Sequence, residues 1–139
     1  MIVLNSGIVL NYNEKLIVEI EADLYRRESG FFDRANAKRR RIIDMVKGKT
    51  KRGYIVLTNK HIIEVYQSNT CCCCRDQQQI DYYPLSDIKD FGYCIDRESC
   101  CGKACYIYYE TSNHIGGIDL YDSSYQEVLD LVKKFREVL

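Results

Sequence analysis

Between positions 15 and 24 apolar and polar residues alternate, with Leu16, Val18, Ile20, Ala22 and Leu24 on one side and Ile17, Glu19, Glu21 and Asp23 on the other. Successive side chains of a strand point to opposite faces, so this period of two predicts a half-buried β-strand. Two short runs rich in β-branched and aromatic residues follow, 53–57 and 61–66, separated by Thr58-Asn59-Lys60. Asn tolerates turn conformations that most residues resist, so the pair reads as a hairpin. Further strands are predicted over 79–83, 88–95, 104–110 and 114–120, with turn residues at Pro84, across 98–103 and at Thr111-Ser112-Asn113. Seven strands in succession favour an antiparallel meander that curls into a barrel or sandwich. The period then changes. Tyr125, Val128, Leu129, Val132, Phe135 and Leu139 form one helical stripe, opposite Gln126, Asp130, Lys133, Lys134 and Glu137, which predicts one C-terminal amphipathic helix. Ser123 with Gln126, or Ser124 with Glu127, supplies the spacing of a reciprocal N-terminal cap, and Asp130 with Lys134 a favourable pair one turn apart. Phe31, Ala35, Ile42 and Val46 also share a helical face, but Arg39 interrupts it, so 31–46 fits a second helix or a loop.

The chain has 139 residues, 46% of them hydrophobic, which suits one domain over 1–139. A domain of this size buries roughly 68–70% of the surface its unfolded chain exposes, so neither disulfides nor metal are needed merely to fold. The early apolar stretches at 2–4 and 8–10 are split by Asn5-Ser6-Gly7, short of the ~7–15 residues of a signal-peptide core. No apolar run approaches the ~20 residues that span a bilayer. The expectation is a cytoplasmic protein with reduced thiols.

Twenty Lys and Arg balance twenty Asp and Glu, which removes the general electrostatic case for a nucleic-acid partner. The balance conceals a polarised chain. Residues 26–52 carry eleven bases and three acids, net +8, while 1–25 and 53–139 are net −3 and −5. Candidate anion-binding residues are therefore Lys38, Arg39, Arg40, Arg41, Lys47, Lys49, Lys51 and Arg52. Such a stretch can lie against anionic lipid at about 1 kcal/mol per base or grip phosphates singly. It can equally be a solvated loop, or pair with the acidic remainder of the domain.

Specific residues add a resemblance. Gly53-Tyr54-Ile55-Val56-Leu57-Thr58-Asn59-Lys60-His61-Ile62-Ile63 resembles the Leu-Thr-Asn hairpin of bacterial pleckstrin-homology-like and GRAM-like domains. Tyr83-Pro84-Leu85-Ser86-Asp87-Ile88 resembles their Ile-Pro-Leu-x-x-Ile segment, and Asn13-Glu14-Lys15-Leu16-Ile17 their Gly-Glu-Lys opening. The resemblance implies a mainly β fold: a seven-stranded curled antiparallel sheet capped by one C-terminal helix. It also implies a binding or scaffolding module rather than a catalyst. The basic 26–52 insertion, between the first strand and the hairpin, occupies a place similar to that of the loop contacting phosphoinositide head groups in pleckstrin-homology domains. The expected partners are an anionic membrane surface or a protein, and an uncovered sheet edge would allow self-association.

Eight cysteines offer an alternative, a zinc- or thiol-redox-dependent module. Cys71 to Cys74 would alternate across a strand and suit one tetrahedral ion poorly, leaving ordinary thiols or thiol modification. Cys94, Cys100, Cys101 and Cys105 flank a turn, and a hairpin there would bring Cys94 near Cys105, so they are the better zinc set. His61 and His114 lie in no catalytic motif, and no phosphate loop or nucleophile elbow is present. Glu19 and Glu21 fit a solvated strand face. No enzyme, and no cofactor other than the alternative zinc, is expected.

Overall fold

A computed structural model describes residues 4–28, 51–68, 77–99, 102–120 and 123–139. Seven strands, β1 (Leu16–Glu28), β2 (Lys51–Thr58), β3 (His61–Ser68), β4 (Gln77–Pro84), β5 (Asp90–Ser99), β6 (Gly102–Glu110) and β7 (His114–Asp119), precede helix α1 (Tyr125–Val138). They form one antiparallel sheet in the order β4-β3-β2-β1-β7-β6-β5. The sheet is curled and unclosed, with β4 and β5 at its two edges. The mainly β architecture with a single C-terminal helix is the one the sequence predicts. The 31–46 segment lies outside the described residues.

The length of β1 explains the curl. Leu16 to Leu24 pair with β2, whereas Asp23 to Glu28 pair with β7. Among the described residues only Asp23 and Leu24 are paired on both flanks, so β1 passes from one half-sheet (β1 to β4) to the other (β1, β7, β6, β5). Alternation alone ends this strand at Leu24, because the signal fails at Arg26 and Arg27; the pairing with β7 carries it to Glu28. Arg26 to Glu28 thus belong to β1 and Lys51 and Arg52 to β2, which shortens the predicted insertion to 29–50. Register also corrects one core assignment. A shift between Leu16 and Val18 breaks the alternation, leaving Leu16 exposed while Ile17 packs against the core.

The inner core gathers Ala22, Leu24, Ile55, Leu57, Ile62, Ile107, Tyr109 and Ile118 from the sheet with Val128, Leu131, Val132 and Phe135 from α1. Phe91 stacks on Phe135 at 5.6 Å. Of the two predicted caps, Ser124 is the one formed: its side chain accepts the Glu127 N–H at 3.2 Å. Asp130 accepts a hydrogen bond from Gln126. A second layer covers the outer face of β2 and β3, where Ile8 and Leu10 pack on Val56, Ile63 and Val65. Glu19 holds this N-terminal segment in place, accepting from the Asn5 and Ser6 N–H groups and the Ser6 hydroxyl. Glu19 is therefore a structural anchor rather than part of a solvated face. Among the described residues no helix is long and apolar enough to cross a membrane.

Candidate functional site

The ladder of β1 and β2 sets the two ends of the first half-sheet. At one end Leu24 opposes Lys51 and Asp23 opposes Arg52; the 29–50 connection leaves β1 beyond this end, after Glu28 opposite His114 of β7, and re-enters at Lys51. Lys38, Arg39, Arg40, Arg41, Lys47 and Lys49 lie outside the described residues, and Lys51 is placed by its backbone at the start of β2. Arg52 is engaged by its own domain. Its guanidinium meets Glu21 at 3.2 Å and Asp23 at 3.6 Å, and the Glu21 hydrogen bond leads the contacts that raise its pKa further. The Tyr54 hydroxyl donates to Glu21, and the Glu21 charge, with some burial and that bond, pushes the phenol above its ordinary pKa. A cleft of about 260 Å³ opens here, lined by Glu21, Arg52, Tyr54, Gln67 and Gln78 among others. It is open and next to the basic connection.

Cys94 and Cys105 do not converge. Cys94 opposes Tyr106, and Cys105 opposes Ile95. Opposed residues share a face and neighbours alternate, so Cys94 packs on the outer cluster of Tyr25, Tyr106 and Ile115 while Cys105 packs against the inner core. The two stand on opposite sides of the sheet, which corrects their expected approach across the hairpin: the ladder is offset by one residue. Cys100, Cys101 and the Cys71 to Cys74 run lie outside the described residues. Among the described residues no cluster of three metal-ligating side chains is present.

The three segments that carry the family resemblance meet at the other end of the first half-sheet. The buried Thr58 hydroxyl donates to Glu14 Oε1 at 2.5 Å and accepts the N–H groups of Lys60 and His61. His61 Nδ1 lies 2.8 Å from the same carboxylate oxygen. Asn59 closes both backbone groups of Lys15, its side chain accepting from Lys15 N at 2.8 Å and its N–H donating to Lys15 O at 3.1 Å. Leu85 N donates to Lys60 O at 2.9 Å, adding the Tyr83 to Ile88 segment. Burial raises the Glu14 pKa, but the hydrogen bonds from Thr58 and His61, with the charges of His61 and Lys60, outweigh it and hold the carboxyl below its ordinary value. The side chains of Glu14, Thr58 and Asn59 and the Nδ1 of His61 are all engaged by the chain itself. The motif thus acts as a turn lock.

A second carboxylate–histidine pair, which sequence reading missed, lies inside the core. Glu64 of β3 is fully buried, and its Oε1 sits 2.9 Å from His114 Nε2, with Oε2 at 3.1 Å. The Tyr109 hydroxyl donates to Glu64 at 2.6 Å, and Tyr83 stacks on the His114 ring at 4.5 Å, nearly parallel. Gly116 makes room for this: a Cβ there would sit about 2.5 Å from the Tyr109 ring carbons. The cluster ties β3 and β4 to β6 and β7 across the core. One signal was available. Ile62, Glu64 and Tyr66 share the inward parity of their strand, and a carboxylate on an apolar face must find a buried partner.

The chain matches no protein-family model, and no curated protein matches it.

Proposed function

We propose that the chain is a non-enzymatic binding or scaffolding module of pleckstrin-homology-like fold that contacts an anionic surface through the basic stretch between β1 and β2. One observation carries this reading: β1 ends at Glu28 and β2 begins at Lys51, so the basic connection joins the sheet beyond the Leu24↔Lys51 end of the β1–β2 ladder, away from the end where Glu14, Thr58 and Asn59 form the turn lock. Clustered bases on one connection sum their attraction to an anionic surface. Arg52, already neutralised by Glu21 and Asp23, contributes least; Lys38 to Arg41 carry the contact. The alternative zinc or thiol reading gains no support from Cys94 and Cys105, which face apart.

Cosedimentation tests the proposal. The protein should pellet with phosphatidylserine–phosphatidylcholine vesicles, not with phosphatidylcholine alone, and lose binding as salt rises. Changing Lys38, Arg39, Arg40 and Arg41 together to Ala should weaken it by at least about 100-fold, given roughly 1 kcal/mol per base. Poly-glutamate serves as the probe for an acidic protein partner. Equal behaviour of wild type and the quadruple variant toward both probes would overturn the proposal.

A further inference from the structure

The two edges of the open sheet are built differently. β5 carries Asp90, Asp96, Arg97 and Glu98, with Gly92 in its interior, and its ladder with β6 shifts register between Asp96 and Ser99. Charges and bulges are how edge strands discourage the addition of another strand. β4 has fewer of these devices. Its ladder with β3 runs unbroken through eight pairs from His61↔Pro84 to Ser68↔Gln77. Its sequence Gln-Gln-Gln-Ile-Asp-Tyr-Tyr-Pro holds one charge, and that is Asp81. Ile80 and Tyr82 stand on its outer face, exposed by 37% and 50%, beside Val65 and Ile63 of β3. Among the described residues β3 is the one strand paired with β4.

From this edge we infer that a second copy of the chain adds to β4, antiparallel and about a two-fold axis at Ile80. Like charges directly opposite are destabilising, and that rules out one register. An axis at Asp81 would set Asp81 against its own copy. An axis at Ile80 sets Ile80 against Ile80, Tyr82 against Gln78, and Asp81 against Gln79. The last pairing repeats between chains a contact present within one: Gln79 Nε2 already donates to Asp81 at 3.2 Å. Face parity is kept, so apolar Ile80 and Tyr82 of both copies line one outer surface. Pro84, which has no N–H, ends the pairing. A dimer through self-complementary patches closes on itself and leaves β5 outermost on both sides. The inference rests on the sheet edges and is independent of the anionic-surface reading.

Sedimentation equilibrium across a concentration series up to millimolar should show mass rising from 16.3 kDa toward twice that value. Hydrogen exchange should then slow at β4 amides as concentration rises, with β5 amides unchanged. Ile80→Lys places a charge against its own copy and should weaken association by about 100-fold, while an equimolar mixture of Ile80→Lys and Ile80→Glu should restore it. A monomer throughout the series overturns the inference, and so does a dimer whose β4 amides keep their monomer exchange rates. The exchange measurement on the unmodified chain decides the matter even if either variant fails to fold.

Discussion

Glu14–His61 and Glu64–His114 are the same chemical pair in two settings, and their contrast separates what holds the fold locally from what holds it globally. Glu14 and His61 sit at the end of the sheet, with His61 still 25% exposed, and their contacts with Thr58, beside the Asn59–Lys15 hydrogen bonds, close a turn. Glu64 and His114 are sealed between the half-sheets, 0% and 7% exposed, with Tyr109 and Tyr83 around them. The first pair fixes how the chain enters β1 and turns from β2 to β3. The second joins strands fifty residues apart in sequence. A carboxylate that must be satisfied in the core permits one docking of the two half-sheets, whereas apolar contacts alone would tolerate several.

The largest expected effect follows from breaking the inner pair. Glu64→Ala or His114→Ala should cost about 3–5 kcal/mol, because each leaves a buried polar partner without its counterpart. Both changes to Ala together should cost less than the sum of the single ones, since both polar groups leave together. Denaturant unfolding of the four proteins gives the coupling; strictly additive costs would show that the pair does not bridge the half-sheets. A smaller effect is expected at the turn. Thr58→Val keeps the shape but deprives Glu14, Lys60 N–H and His61 N–H of the hydroxyl, at about 1–3 kcal/mol. pH dependence belongs to this same end. Because the Glu14 carboxyl is held below its ordinary value when folded, its contribution is present above the unfolded pKa of about 4.3 and is lost as pH falls through the folded one. The stability gap between wild type and Glu14→Gln should therefore narrow on acidification. A gap that is constant or widens below that point would contradict the proposed role.

Legibility in the sequence divides along the same line. The seven strands and the helix were readable because period two and period 3.6 are local properties, as was Ser124 as one of two candidate caps. The residues of the turn lock were readable as a motif, although their mutual contacts were not: Glu14 and Thr58 are 44 positions apart. What escaped was set by pairing. The extension of β1 through Arg26 to Glu28 depends on β7, and the one-residue offset that parts Cys94 from Cys105 depends on the β5–β6 register. Glu64 escaped because a lone acid in a strand is usually a surface residue, and only parity with Ile62 and Tyr66 marks it as inward.

The two ends of the first half-sheet lead to the most direct test of the account, that the turn lock is structural and binding belongs to the opposite end. Backbone amide NMR spectra recorded while phosphatidylserine-containing nanodiscs are added would map contact residue by residue. Signal changes are expected at 26–28 and 51–54, next to the basic connection, with Glu14 and 58–61 unchanged. Changes centred on Glu14, Thr58 and His61, or none at either end, would contradict the account.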